Sequence, residues 1–138
     1  MARFEILEHT ADVGIKAHAI DLPGVFEQAT LGLLDIIGTW APAPSGEPVE
    51  LEVEANDPGA LLVDWLEEVL YVLDSRDAVV TSLEMLEVTP GRAAGRLAIR
   101  SRDDATYGGG TQVKAITYHR LEVAETAEGW TATVYVDV

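Results

Sequence analysis

Two stretches of the chain open with similar residues, and each continues with apolar residues at helical spacing. Asp21-Leu22-Pro23-Gly24 opens the first, and Asp57-Pro58-Gly59 opens the second. An aspartate can cap the free amides of a first helical turn, where proline is tolerated because no backbone donor is needed. The two stretches therefore predict amphipathic helices. Their apolar stripes are Val25, Ala29, Leu33, Ile36, Ile37 and Trp40 in the first, and Leu61, Leu62, Trp65, Val69, Val72 and Leu73 in the second.

Most of the remaining chain alternates apolar and polar residues with the period of a β-strand. A turn is predicted at residues 74–77, after the second helix. Strands interrupted by two amphipathic helices indicate an α+β two-layer sandwich, and 138 residues predict a single domain over 1–138. The predicted strands are residues 3–8, 12–19, 48–55, 79–88, 94–101, 112–123 and 131–138.

Three glycines, Gly108-Gly109-Gly110, precede a run of β-branched and aromatic residues. On a regular strand, alternate side chains point to opposite faces. We therefore expect one mostly apolar face that packs on the core and one face that holds the charges. The first face comprises Val113, Ala115, Thr117, His119, Leu121 and Val123, and the second comprises Gln112, Lys114, Ile116, Tyr118, Arg120 and Glu122.

The charge of the chain is the outlying feature of its composition. Twenty-four acidic residues against nine basic ones give a formal charge of −15. Such a surface repels phosphate and disfavours direct binding of RNA or DNA. It suits a basic partner, such as a nucleic-acid-processing protein with a positive cleft. The alternative is that the negative charge only keeps the protein soluble.

Several kinds of chemistry find no support in the sequence. There are no cysteines, which excludes disulfides, thiolate nucleophiles and zinc–sulfur sites. No Gly-x-Ser-x-Gly motif or phosphate-loop pattern occurs, so we do not expect an enzyme. No apolar run approaches the ~20 residues of a membrane span, and the first residues lack the apolar core of a signal peptide. We expect a cytoplasmic protein without membrane contact.

Two charged clusters have simple structural interpretations. Arg92, Arg96, Arg100 and Arg102 are concentrated around one predicted hairpin, where we expect them to balance acids on neighbouring strands rather than form a phosphate site. Glu67 and Glu68 are adjacent on the second helix and point about 100° apart. This favours a solvated acidic face over a metal site.

Three motifs resemble those of the archease family. They are His9-Thr10-Ala11-Asp12-Val13-Gly14, the run from Gly110 to His119, and the closing Val136-Asp137-Val138. They occur in the family's order and spacing and span the chain. The resemblance implies a largely antiparallel sheet with the two helices packed on one face.

Asp12 and Asp137 each lie near the end of a predicted strand. Hard divalent ions prefer carboxylates together with backbone carbonyls and water, although exposed acids at strand ends are also commonplace. The resemblance implies that these two aspartates bind a divalent metal ion, calcium in crystals of the family, with magnesium or manganese as further candidates in function. It also makes the carbonyl or carboxylate of Val138 a candidate third ligand.

Other motif residues are candidates for supporting roles. Lys114 matches the lysine of the family motif, where it could offset the repulsion of two aspartates or contact the partner. His9 is a candidate neighbour of the metal, or equally a histidine bonded to backbone. His119 is expected to be structural. Gln112 stands where the family usually has glutamate, which puts a ligand from that turn in doubt.

The archease resemblance also implies a function. Members of the family assist the RtcB-type RNA ligase that acts in tRNA splicing and RNA repair. They promote formation of its GMP–histidine intermediate and allow multiple turnover. The expected protein is therefore a non-enzymatic, metal-binding activator. The alternative is a chaperone that keeps a tRNA-modifying enzyme, such as a methyltransferase, soluble and specific.

Overall fold

A computed structural model describes residues 2–8, 12–102 and 110–138. Within them, two helices and eight strands form an α+β fold, which confirms the predicted fold class. The elements are β1 (Arg3–Glu8), β2 (Asp12–Ala19), α1 (Leu22–Ile37), β3 (Glu47–Glu54), α2 (Pro58–Arg76), β4 (Ala78–Thr89), β5 (Arg92–Ser101), β6 (Ala115–Ile116), β7 (Glu122–Thr126) and β8 (Gly129–Asp137).

Both helices begin where their capping residues predict. The Asp21 carboxylate accepts a hydrogen bond from the backbone N–H of Gly24 at 2.8 Å, and that of Asp57 accepts one from Ala60 at 2.8 Å. The predicted turn at 74–77 is wrong, because α2 continues through Arg76. Asp77 then ends the helix in the left-handed conformation, and its N–H bonds to the carbonyl of Leu73.

The core lies between the helices and the strands. The predicted apolar stripe of α2 is buried throughout, and Trp65 has no exposed surface. Its indole Nε1 donates to Thr30 Oγ1 of α1 at 2.9 Å, which joins the two helices through a buried hydrogen bond. Trp40, predicted in the α1 stripe, lies beyond the helix end, is 37% exposed and bridges to Val80 of β4. Gly38 ends α1 before Trp40 can join its stripe.

The described strands divide into two antiparallel sheets rather than one. The first, which we call sheet A, has the order β1-β2-β8-β6, with β7 also paired to β8, and the second has the order β3-β5-β4. Helix α1 packs closely on sheet A, since a Cβ on Gly32 would lie 2.7 Å from Ile15. Helix α2 packs on the second sheet, where the Trp65 ring lies against Gly95.

The strand predicted over 112–123 is interrupted. Its two parts, β6 and β7, pair with successive parts of the same edge of β8. A turn between them is closed by the N–H of Leu121, which donates to the carbonyl of Tyr118, and Arg120 has a positive φ of 56°. The predicted division into faces is consequently wrong for Ile116, which is only 5% exposed, and for His119, which is exposed instead of packed on the core.

Two arginines of β5, Arg92 and Arg96, balance acids on both neighbouring strands, as predicted. Arg96 pairs with Glu50 of β3 at 3.1 Å and with Glu84 of β4 at 3.3 Å. Arg92 likewise pairs with Glu52 and Glu87. These side chains are substantially exposed, so each pair contributes at most about 1 kcal/mol. The cluster is thus an ion-pair ladder across the second sheet.

Candidate functional site

Asp12 and Asp137 lie directly opposite each other in sheet A. Asp12 is the first residue of β2 and Asp137 the last of β8, and the two are partners in the antiparallel register. Side chains of directly opposed residues project from the same face, with Cβ atoms about 4.5–5.5 Å apart. The structure therefore brings together two acids that are separated by almost the whole chain. We call them the acid pair.

The register that opposes the two acids is fixed by the buried face of the same strands. Ile15 pairs with Val134 and Ala17 with Ala132, and all four are almost completely buried. A slip by one residue would turn these side chains towards solvent, so the apolar pattern specifies the pairing. The acid pair is consequently presented by two strands that the core holds in place.

Gly14 and Tyr135 pack together one pleat repeat away from the acid pair, on the same face. They are partners in the register, and a Cβ on Gly14 would lie 2.8 Å from Cε2 of Tyr135 and 3.0 Å from Cβ of Leu7. The tyrosine ring therefore lies across β2 in the space that a side chain would occupy. With 8% exposure, the ring is almost buried on the sheet face from which the two acids project.

The turn between β6 and β7 also contacts this tyrosine. Both the backbone N–H and the hydroxyl of Thr117 donate to the carbonyl of Tyr135, each at 2.9 Å. The His119 ring meets the Tyr135 ring edge-on, with centroids 5.9 Å apart. These contacts hold the turn against Tyr135, while His119 itself is exposed.

The backbone of Lys114 lies beside the acid pair. Its N–H donates to the carbonyl of Asp137 at 2.8 Å, while its side chain is exposed. Gln112 is also exposed, and Val138 is partly buried. His9 and the glycines Gly108 and Gly109 lie outside the described residues.

The donors of the acid pair fit a hard divalent ion. Like charges opposed on neighbouring strands repel each other, and a cation between them offsets that repulsion. Carboxylate oxygens are the ligands that Ca²⁺ and Mg²⁺ prefer. Over the described ranges, no group of three or more His, Cys, Asp or Glu side chains could hold a metal ion. The pair would therefore be completed by main-chain oxygen and water, and its role as a ligand set stays a prediction.

Comparison with known proteins gives a family. The sequence model described as "Archease protein family (MTH1598/TM1083)" matches residues 4–138. The chain belongs to the archease family.

Relatives of the chain agree with this assignment over their full length. "Protein archease" of Methanosarcina acetivorans is 31% identical over 140 residues, which cover 99% of this chain and 96% of the relative. That of Pyrococcus furiosus is 31% identical over 142 residues, which cover 100% of both. The solution structure of protein 1598 from Methanobacterium thermoautotrophicum matches with a TM-score of 0.78 and 26% identity, over 98% of each chain.

Two features of this archease-family chain escaped the sequence analysis. The Gly14–Tyr135 contact was not foreseen, although a glycine inside an alternating strand is a signal of close approach. The exposed Tyr71 was missed because it falls on the polar side of α2.

Glu67 and Glu68 are exposed, as predicted. Partial desolvation and the neighbouring charges of Asp64 and Glu68 raise the pKa of Glu67. None of the described helices is long and apolar enough to cross a membrane.

Proposed function

We propose that this archease-family protein is a non-catalytic, metal-binding activator of an RtcB-type RNA ligase in tRNA splicing and RNA repair. It promotes guanylylation of the ligase and multiple turnover. Membership of the archease family supports an accessory role rather than a catalytic one. The observation that carries the proposal is the register that opposes Asp12 and Asp137.

The acid pair suits the placement of a cation in a partner's active site. Asp12 and Asp137 would hold the ion, with main-chain oxygen of Val138 as a further donor. When bound, a divalent ion supplies charge neutralisation for the phosphates of GTP. The strands fix the two carboxylates relative to each other before the partner binds, and such preorganisation is what a supporting site requires. Lys114 is bonded to Asp137 through its backbone, and its exposed side chain would contact the ligase beside the pair.

The net charge of the protein favours a mechanism in which the ligase, and not the activator, binds the RNA. A formal charge of −15 steers the protein towards a basic surface such as the cleft of a nucleic-acid-processing enzyme. The same charge opposes direct binding of RNA. The ligase would hold the RNA, and the activator would present its acids to the metal-lined cleft.

A guanylylation assay tests the proposal. Purified protein is added in equimolar amount to an RtcB-type ligase with labelled GTP and Mn²⁺, and the labelled ligase is followed with time. We expect faster labelling, and more than one ligation per ligase when RNA ends are supplied. An unrelated acidic protein of similar size is the control. Labelling and turnover equal to those with the control would contradict the proposed function.

A further inference from the structure

A groove of about 260 Å³ runs between α2 and β6. Its apolar lining comes from Leu70 and Tyr71 of the helix and from Ala115 and Ile116 of the strand. Ala115 is the register partner of Asp137. The groove therefore adjoins the strand end that presents the acid pair, and a partner seated at one would lie near the other.

Two tyrosines at this edge of the molecule are exposed, Tyr71, which lines the groove, and Tyr118, in the turn that follows β6. Tyr71 is 68% exposed and Tyr118 is 60% exposed, whereas Ile116 is only 5% exposed. The turn that holds Tyr118 lies against the start of α2, where a Cβ on Gly59 would be 3.1 Å from Leu121. Partial desolvation and the negative charges of Asp64, Glu67 and Asp57 raise the pKa of Tyr118. Aromatic rings with one polar end are enriched at protein interfaces.

The groove has an acidic rim. Glu67 and Asp74 of α2 line it, and Lys114 lines it from the side of β6. Two further acids of the helix, Asp64 and Glu68, lie next to Glu67 on the side that faces β3. The ion pairs found within 2–8, 12–102 and 110–138 include none of these four acids. Four acids of the second sheet, in contrast, are balanced by Arg92 and Arg96. With two acids against the single Lys114, the rim retains net negative charge that a basic partner would complement.

We propose that the groove between α2 and β6 is a docking surface for a basic segment of the partner ligase. In this segment, arginine or lysine side chains flank one apolar or aromatic residue. The apolar residue fills the space between Tyr71 and Ile116, and the basic residues contact the acidic rim and the faces of the two tyrosines. This inference rests on the proposed function and assigns binding to the groove and activation to the acid pair.

Truncation of the two tyrosines tests the docking surface. Affinity of the Tyr71→Ala/Tyr118→Ala variant for an RtcB-type ligase is measured by calorimetry and compared with the wild type. We expect binding at least about tenfold weaker, because exposed aromatic side chains at the centre of an interface dominate its energy. Ile20→Ala/Leu86→Ala is the matched control, since it removes apolar side chains that are 76% and 46% exposed elsewhere. The control should bind within about twofold of the wild type.

The charge of the rim is tested separately. The Glu67→Gln/Asp74→Asn variant removes the two acids that line the groove. It should bind more weakly at low salt and lose part of the salt dependence of the wild type. Unchanged melting temperatures establish that the variants fold. Tyrosine and rim variants that bind as tightly as the wild type would overturn the docking surface and leave the proposed function intact. Failure of the wild type to bind the ligase would overturn the proposed function itself, and the docking surface with it.

Discussion

An Asp12→Asn/Asp137→Asn variant is expected to bind the ligase and to leave guanylylation at the rate of the ligase alone. Asparagine keeps the shape of each side chain but removes the charge that attracts a hard cation. The two residues are register partners at the end of β2 and β8, so one substitution should already remove most of the stimulation. The rate of labelling with GTP, at saturating variant, is the measurement.

The matched control removes two negative charges at the opposite end of sheet A. Glu125 and Glu128 are exposed at the turn between β7 and β8, and Glu125→Gln/Glu128→Gln should stimulate like the wild type. Equal stimulation by the acid-pair variant would contradict the role of the aspartates. If that variant also protected a tRNA methyltransferase from aggregation as well as the wild type does, the chaperone function would be the better account.

Gly14→Ala is expected to destabilise the protein by about 1–3 kcal/mol, the usual cost of overpacking. The new methyl group would lie 2.8 Å from the ring of Tyr135 and 3.0 Å from Leu7, so the ring or the strand must move. Chemical denaturation measures the loss. Gly91→Ala is the control, because its methyl group would make only ordinary contact, 3.5 Å from the carbonyl of Ala55. A loss no larger than that of the control would refute the close packing.

The same contact predicts a compensating pair. Tyr135→Leu removes the ring atoms that Gly14→Ala would meet, so the two substitutions share one space. We expect the double variant to be more stable than the sum of the single effects allows, since contacting residues are not additive. Strictly additive losses would mean that the ring does not limit the space above Gly14. Stimulation of the ligase should follow the same order, because Gly14 and Tyr135 are two positions from Asp12 and Asp137 in the same strand pair.

Local signals predicted much of this fold. Asp21 and Asp57 fixed the starts of both helices because capping depends only on neighbouring residues. The strand bounds of β1 and β2 followed from alternation. The break between β6 and β7 did not, because the residues around Tyr118 are as strand-forming as those beside them. The break is visible only in the pairing with β8. Between the last pair of β6 and the first pair of β7, five residues (117–121) lie opposite only two residues of β8 (134 and 135).

The site was less accessible to sequence reasoning. Composition and alternation left Asp12 and Asp137 as two strand-end acids among many, and only the archease resemblance singled them out. Their opposition depends on a pairing between the two ends of the chain, which no local pattern specifies. The exposure of Tyr71 and Tyr118 is likewise a product of how α2 lies against β6.

The central claim is that Asp12 and Asp137 jointly hold a divalent cation. Calorimetric titration of the purified protein with Ca²⁺, repeated with Mg²⁺ and Mn²⁺, measures this without the ligase. We expect one ion per chain for the wild type and for Glu125→Gln/Glu128→Gln, and no measurable binding for Asp12→Asn/Asp137→Asn. Equal binding by the acid-pair variant, or no binding of any of the three ions by the wild type, would contradict the account.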